Sequence, residues 1–511
     1  MATHKKVLES YVKKILTSRV YEVATETPLD FAPQVSSRLG AEVFLKREDL
    51  QPIFSFKNRG AYAKISNIPN ARRKKGVIAA SAGNHAQGVA VAAAHLNIDA
   101  TIVMGLNTPE IKVEAVRRLG AKVILHGDTY DGASDYMKKL SRNSGAVIIP
   151  PYDDPDVIAG QGTVGMEILN QIPGIPNGIF VPVGGGGLIA GVAAYAKYLN
   201  PNIRIIGVES EGSDCLNQAL RANRRVRLNS EQLDLFADGV SVAQVGRIPF
   251  LLARDYVDEM VLVDTDEICA AIKDIFDETR SIAEPAGALA IAGMKKYIFA
   301  RARGYERYVA IVSGANVNFD RLRHISERAE YGEHREVLFG ITIPEKKGSF
   351  RRLCKVLGKR PITEFNYRYQ NPQKAEVFMG LKISEDSQRS KVLSNLNESG
   401  YVVEDMTGNE MAKLHLRHMV GGGRPEINSE LVYRFEFPER PGALRQFLDQ
   451  LGKTWNITLF HYRNHGAAWG RVLVGFDVSE RNRRRLVQTL RSIGYRFWEE
   501  TNNPAYTKFL R

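Results

Sequence analysis

The sequence predicts an α/β protein: a parallel-sheet domain over residues 1–325, followed by an α+β region made of two copies of one module. Three observations carry this. From residue 77 to about 210, β-rich runs alternate with helical ones. The strand runs, such as "GVIAA", "ATIVMG" and "GIFVPV", are apolar on both faces, as in parallel sheets covered by helices on either side. Beyond residue 335 the texture changes, and one order of elements occurs twice.

The elements follow in order. "MATHKKVLESYVKKIL" reads as an amphipathic helix with Val7, Tyr11 and Ile15 on one face. It lacks an apolar core followed by a cleavage site, so a secretion signal is not expected. "GVIAA" is a strand and "HAQGVAVAAAHL" a helix; "ATIVMG" is again a strand. "TPEIKVEAVRRLG" is a helix with Thr108 as cap, Pro109 in the first turn and Gly120 at the exit. "AKVILHG", "DGASDYMKKLSRN", "AVIIPP", "GIFVPV", "GLIAGVAAYAKYL" and "IRIIGVES" continue the alternation. Helices near 266–279 and 286–298 and the strand "YVAIVSG" extend the domain to residue 325.

After a connector (326–335), "EVLFGITIPEKKGSFRRLCKVLG" is echoed by "ELVYRFEFPERPGALRQFLDQLG". The echo continues as "ITEFNYRY" with "ITLFHYRN", then "AEVFMGLKI" with "GRVLVGFDV". Two βαββαβ modules are expected, 336–418 and 430–511, joined by a linker at 419–429.

Composition narrows the function classes. A chain of 511 residues is too long for one core, and 44% hydrophobic with 25% charged residues is ordinary for a globular protein. No stretch is long and apolar enough for a membrane span. Three cysteines, far apart, fit neither a disulfide framework nor a zinc site and favour a reducing, cytoplasmic setting. The net charge of +13 is compatible with an anionic ligand. The basic runs "ARRKKG" and "ERNRRRL" lack interleaved aromatics, so nucleic acid is not expected as a partner.

Three motifs carry chemistry. In "VPVGGGGLIAG", Gly184 to Gly187 follow a strand and open a helix. Glycines let successive N–H groups meet an anion at a helix N-terminus, which suits a phosphate. Gly185, Gly187 and Ala190 also satisfy a dinucleotide spacing, with Glu209 where a ribose-binding acid could stand; a ligand-free turn is the bland alternative. In "SAGNHAQG", the Ser81–His85 turn would offer N–H groups to a carboxylate, or Ser81 or Asn84 would simply cap the helix. In "IFSFKNRGAY", Lys57 sits beside Phe54 and Phe56, where loss of hydration would make its amine a usable nucleophile and base; a snorkelling surface lysine is the alternative. Together they describe one ligand with an aldehyde, a phosphate and an aromatic ring, beside a carboxylate substrate. That is pyridoxal phosphate on a lysine next to an amino acid.

"SFKNRGAY", "SAGNHAQG", "VPVGGGGLIAG" and "SGANV", in this order, resemble the serine/threonine dehydratase branch of the tryptophan-synthase-β-like pyridoxal phosphate enzymes over roughly residues 1–325. The two C-terminal modules resemble the ACT-like regulatory domain of its biosynthetic threonine-deaminating members. The resemblance implies a two-lobed catalytic domain in which Lys57 holds the cofactor as a Schiff base and Phe56 lies against the ring. Gly184, Gly185, Gly186, Gly187 and Leu188 would cradle the phosphate, Asn84 would bond the ring hydroxyl, and Ser313 would face the pyridine nitrogen. Ser81, Ala82, Gly83 and Asn84 would receive the substrate carboxylate, and Glu284 would lie near the cofactor or cap a helix.

The implied reaction is removal of water and ammonia from L-threonine, and from L-serine, giving 2-oxobutanoate from threonine. Isoleucine would inhibit, valine is a second candidate effector, and a homotetramer is the family's usual assembly. Tyr367, Arg368, Tyr462 and Arg463 are candidate effector contacts, with core-filling tyrosines and exposed arginines as the alternative. Related dehydratases with a cation site carry an acidic residue six positions beyond the glutamate of "GVE"; here Cys215 stands there and Asp214 is one residue early, so no metal is expected. Rival readings are a serine racemase, a threonine synthase or a silent amino-acid sensor.

Overall fold

The computed structural model describes residues 2–229, 233–301, 306–332, 336–344, 349–358, 360, 362–368, 373–383, 387–416, 430–438, 447, 450–451, 454–463 and 469–510. The chain forms two compact units, Met1–Phe319 and Asp320–Arg511.

The first unit contains ten strands: β1 (Leu29–Phe31), β2 (Glu42–Arg47), β3 (Val77–Ala80), β4 (Ala100–Met104), β5 (Lys122–Leu125), β6 (Val147–Ile148), β7 (Gly178–Pro182), β8 (Arg204–Ser210), β9 (Glu259–Val263) and β10 (Arg307–Val312). They make two sheets, in the orders β5-β4-β3-β6 and β1-β2-β10-β7-β8-β9. All pairings are parallel except β1 with β2. Each sheet has its own core. Val77, Ala79 and Ile102 pack with Tyr62 and Ile65 of the Lys57–Ser66 helix and Val89 and Ala93 of the Asn84–His95 helix. Ile179, Val181 and Ile205 pack with Ile189 and Val192 of the Gly187–Leu199 helix.

Backbones approach closely where glycines allow it. A Cβ on Gly160 would lie 2.6 Å from the Arg59 carbonyl oxygen, and one on Gly88 would lie 2.9 Å from the Lys57 carbonyl oxygen. The Lys57–Ser66 helix is therefore clamped between the Pro155–Gln171 and Asn84–His95 helices.

Two local expectations change. The helix after β4 spans Glu110–Arg118, with Pro109 rather than Thr108 as its N-cap and no side-chain cap bond. Pro109 has φ −56° and ψ 137°, so it is the last extended residue before the helix. The N-terminal helix, Ala2–Leu16, buries Leu8, Val12 and Ile15, while Val7 is exposed. Ile15 and the partly buried Tyr11 pack as read by spacing, whereas Leu8 and Val12 rather than Val7 complete the buried face.

The second unit begins with a helix, Arg321–Gly332, that runs across the expected 325/326 boundary. Its strands are β11 (Glu336–Pro344), β12 (Ile362–Arg368), β13 (Lys374–Lys382), β14 (Val402–Asp405), β15 (Glu430–Pro438), β16 (Asn456–Arg463), β17 (Trp469–Asp477) and β18 (Arg496–Glu499). They form two antiparallel sheets in the equivalent orders β12-β13-β11-β14 and β16-β17-β15-β18. This is the repeated βαββαβ pattern; the linker 419–429 lies outside the described residues.

One face of each sheet covers that module's own core, and the other joins a shared core containing Leu338, Phe378, Val432, Leu473 and Phe509. The closing Pro504–Phe509 helix of the second module packs on β13 of the first, with the Phe378 and Phe509 rings 5.5 Å apart. Asn409 and Asn503, equivalent helix caps of the two modules, hydrogen-bond each other at 3.1 Å.

Candidate active site

Lys57 is the first residue of its helix and follows a constrained loop. Phe54 has φ 54°, uncommon for a residue with a Cβ, and Ser55 bridges Gly314. Ala315 N–H donates to the Phe54 carbonyl at 2.9 Å, and Phe56 N–H to the Ser313 carbonyl at 3.4 Å. The loop before Lys57 is thereby sewn to the residues that leave β10. Lys57 Nζ donates to the Pro151 carbonyl at 3.4 Å and lies 5.1 Å from the centre of the Phe56 ring. Burial lowers its pKa to about 8, against the upward pull of the Glu284 charge.

Pro151 leads into Tyr152, which lies against the glycine turn. A Cβ on Gly185 would overlap the Tyr152 ring, and one on Gly187 would lie 3.0 Å from Tyr152 Cβ. At Gly184 a Cβ would lie 2.9 Å from Val240 backbone atoms. Gly186 has φ 88° and caps the Gly187–Leu199 helix, so its backbone itself demands glycine. Among the described residues, the N–H groups of Gly184, Gly185, Gly186, Gly187 and Leu188 have no hydrogen-bond acceptor, although Gly185 to Leu188 are buried. Buried N–H groups are rarely left unpaired. Successive ones at the N-terminus of a 13-residue helix fit a phosphate.

The second turn is more committed internally. Ser81 N–H donates to the Val103 carbonyl at 3.1 Å, and Gly83 N–H to Ser81 Oγ at 3.2 Å. Ala82 and Asn84 N–H groups have no acceptor among the described residues. The N-cap is Gly83, with no side-chain cap bond from Ser81 or Asn84.

Asn84 Nδ2 donates to Glu284 Oε1 at 2.7 Å, and Asn84 Oδ1 accepts from Asn316 Nδ2 at 2.7 Å. Asn316 also donates to the Ile53 carbonyl at 2.8 Å, which ties Asn84 to the loop before Lys57. Glu284 is buried and its side chain makes no cap bond to the Pro285–Phe299 helix it precedes. Ser313 is buried at the exit of β10, its Oγ donating to the Ala286 carbonyl at 3.3 Å. His85 is buried with Nε2 2.9 Å from the Ile149 carbonyl oxygen; burial, then the Lys57 charge, lowers its pKa to about 4. Its imidazole is neutral, and Nε2–H is the donor.

These contacts close a ring. Lys57 touches Pro151; Tyr152 touches Gly185 and Gly187; Gly184 abuts Val240. A Cβ on the adjacent Gly239 would lie 3.7 Å from Glu284 Oε1, and Glu284 holds Asn84, which Asn316 returns to the Lys57 loop. Lys57, Asn84, Ser313 and the glycine turn, distant in sequence, thus border one space. Tyr152 and Asn316 are additions that sequence reasoning missed. "PPYDDP" at a strand exit and a polar residue three positions after Ser313 were the available signals.

Glu209 does not stand free to bind a ribose. It accepts Leu216 and Asn217 N–H groups at 2.9 and 2.8 Å, and burial raises its pKa to about 8. Cys215 Sγ is 3.8 Å from Glu209, and Asp214 is engaged by Asn217 and Gln218 at 2.8 and 2.7 Å. Among the described residues no three His, Cys, Asp or Glu side chains cluster as for a metal, and no helix is long and apolar enough to cross a membrane.

In the second unit, Tyr367 and Arg368 end the edge strand β12, opposite Val377 and Glu376; Tyr462 and Arg463 end the edge strand β16, opposite Val472 and Arg471. The two pairs hold equivalent positions. Their side chains, and the "PEKKG" and "PERPG" loops beyond Pro344 and Pro438, lie outside the described residues.

Residues 20–314 match the family described as pyridoxal-phosphate dependent enzyme, and residues 327–416 and 421–510 each match the C-terminal regulatory domain of threonine dehydratase. The biosynthetic L-threonine dehydratase of Burkholderia multivorans is 49% identical over 513 residues, covering 100% of both chains. That of Escherichia coli is 49% identical over 98% of this chain and 97% of its own. Among solved structures, the processed form of threonine deaminase isoform 2 from Solanum lycopersicum matches with TM-score 0.62 and 50% identity, over 63% of this chain and 94% of that one. Maize serine racemase matches with TM-score 0.58 and 33% identity, over 64% and 98%.

Proposed function

The chain belongs to the pyridoxal-phosphate dependent enzyme family, and from that premise we propose that it is a threonine ammonia-lyase, converting L-threonine to 2-oxobutanoate and ammonia by eliminating water. L-Serine is the second substrate. The observation that carries the reading is the pairing of unpaired, buried glycine-turn N–H groups with a desolvated lysine amine across one closed ring of contacts.

The residues fit the cofactor. Gly184, Gly185, Gly186, Gly187 and Leu188 supply N–H donors for the phosphate, Lys57 the amine for the aldehyde, Phe56 an apolar ring face, and Asn84 a side-chain amide for the ring hydroxyl. When bound, pyridoxal phosphate supplies an electron sink that weakens the α-C–H bond of an attached amino acid.

The chain's own groups do the rest. Lys57 Nζ, with a pKa of about 8, is partly unprotonated near neutral pH and takes the α-proton. The free N–H groups of Ala82 and Asn84, at the start of a helix, hold the substrate carboxylate. Glu284 and Asn316 fix the Asn84 amide. Ser313 would stand at the pyridine nitrogen; a neutral hydroxyl there would not hold a proton as a carboxylate would, which would favour loss of the β-hydroxyl.

The repeated C-terminal module senses the end product: isoleucine inhibits, gripped at Tyr367–Arg368 or Tyr462–Arg463, and valine competes. The reaction is then the committed step toward isoleucine, carried out in the cytoplasm by a homotetramer. The full-length match to biosynthetic threonine dehydratases, regulatory repeat included, supports this over a racemase or a silent sensor. The test is 2-oxobutanoate formation from threonine, with and without isoleucine. Sigmoidal inhibition is expected. No product from protein loaded with cofactor would end the catalytic reading, and indifference to isoleucine would end the sensor reading alone.

A further inference from the structure

We propose that Arg59, two residues beyond Lys57, is a positioning residue that fixes the catalytic amine by locking the first turn of its helix into a buried, charge-balanced socket. The inference rests on the assignment of Lys57 as the cofactor lysine.

Arg59 is fully buried. Its guanidinium is saturated. Nε and Nη2 grip Glu48 through two bonds of 2.8 Å each. Nη1 and Nη2 reach Glu167 at 2.5 and 3.0 Å, Nη1 donates to Thr163 Oγ1 at 3.0 Å, and Nη2 to the Thr25 carbonyl at 3.1 Å. Lys46 Nζ completes the cluster, 2.6 Å from Glu167 and also bonded to the Thr27 carbonyl and Gln171. Two cations face two anions, so the socket is neutral as a whole. The neighbouring Asn58 is pinned as well, donating to the Val23 carbonyl at 3.2 Å and Gln51 Oε1 at 3.1 Å.

The connectivity gives the socket its role. Thr163 and Glu167 lie on the Pro155–Gln171 helix, and the residues leading into that helix are Pro151, which touches Lys57 Nζ, and Tyr152, which touches the glycine turn. One guanidinium therefore ties the helix that begins at Lys57 to the segment that faces it across the site. Gly60 and Gly160 bring the two backbones together, so the helices cannot slide to absorb a misfit. Planar, two-pronged geometry is what an ammonium cannot reproduce. Burial and Glu284, not the neutral socket, set the Lys57 proton affinity, so disturbing Arg59 moves the amine without retuning it.

The test follows attachment of pyridoxal phosphate to full-length apo-protein. Lys57 Nζ attacks the aldehyde carbon, water leaves, and borohydride delivers hydride to the C=N carbon. The resulting secondary amine is located by mass spectrometry. Arg59→Lys is expected to slow attachment at least about tenfold, with the pH midpoint of the rate unchanged. A wild-type rate, or a shifted midpoint with an unchanged limiting rate, would overturn the proposal. Should Arg59→Lys fail to fold, Thr163→Val, which removes one bond to Nη1, carries the test: slower attachment supports the socket and a wild-type rate refutes it. Arg38→Ala breaks an ion pair to buried Asp274 elsewhere in the unit and is expected to leave the rate alone; equal slowing there would mean general loosening and also refute it. A wild type that attaches cofactor at Lys57 but ignores threonine would sink the deaminase reading and leave the role of Arg59 standing.

Discussion

The first unit uses the same local device twice: a parallel strand ends, the chain turns, and a helix begins. After β3 the turn is Ser81–Gly83, and after β7 it is Val183–Gly186. The outcomes differ. The first turn spends two N–H groups on Val103 and Ser81 Oγ and leaves those of Ala82, Asn84 and His85 free. The second leaves every N–H from Gly184 to Leu188 free and excludes side chains at each glycine. Free donors scale with the charge each turn can hold: three suit a carboxylate, and five suit a phosphate. Lys57 is sewn in between, through Pro151 and Tyr152 on one side and Asn316 on the other.

The harshest test of this contrast removes what the two turns share. Lys57→Ala is expected to lower turnover of threonine by at least about 10²–10⁴-fold, the span of a general acid–base group, and to abolish borohydride-trapped cofactor. Retained trapping at another lysine would break the assignment. Gly185→Ala comes next, because the new methyl would overlap the Tyr152 ring. Overpacking of this kind costs about 1–3 kcal/mol, so cofactor affinity measured by titrating apo-protein is expected to fall by about five- to 150-fold.

Asn316→Ala leaves Asn84 held only by Glu284. It is expected to cost about 1 kcal/mol, read as a few-fold loss in kcat/KM. Glu284→Gln changes sign-specific behaviour. The wild-type amine is protonated below about pH 8, so attachment of cofactor speeds up as pH rises through that value. Glu284 raises the Lys57 pKa, so neutralising it should move the midpoint of the rate to lower pH; a shift upward would contradict the geometry. Gly83→Ala is the mildest. Its Cβ would meet nothing within 4 Å, and the expected change in KM for threonine is within about twofold. A large effect there would mean that the two turns are not as different as their hydrogen bonds imply.

Much of the site was legible because chemistry marked it locally. Lys57 just after two phenylalanines, four consecutive glycines after an apolar run, and a polar turn before an alanine-rich helix each carry a physical signal within ten residues. What escaped was held by distant partners. β2, "EVFLKR", reads as half polar, yet Lys46 and Arg47 are buried: Glu167 neutralises Lys46 from elsewhere in the fold, and Arg47, paired locally with Asp49, is also held by distant Ser281. The Thr108 cap failed for a different reason: Pro109 is itself the last extended residue and holds the helix start one step later. On the first helix Ile15 and Tyr11 pack as expected but Val7 gives way to Leu8 and Val12, because several apolar residues compete for one face and only the packing surface chooses among them.

By itself the sequence determined the two-part architecture and the repeated module, and it marked the lysine and the glycine turn as candidates, since periodicity and residue chemistry act over one or two turns of chain. Tertiary structure alone decided which N–H groups stay free, that Asn316 and Glu284 steady Asn84, and that Arg59 is locked behind the lysine. Those outcomes depend on partners up to 232 residues away. Hydrogen bonds and buried charges are satisfied in space, and no local pattern says by whom.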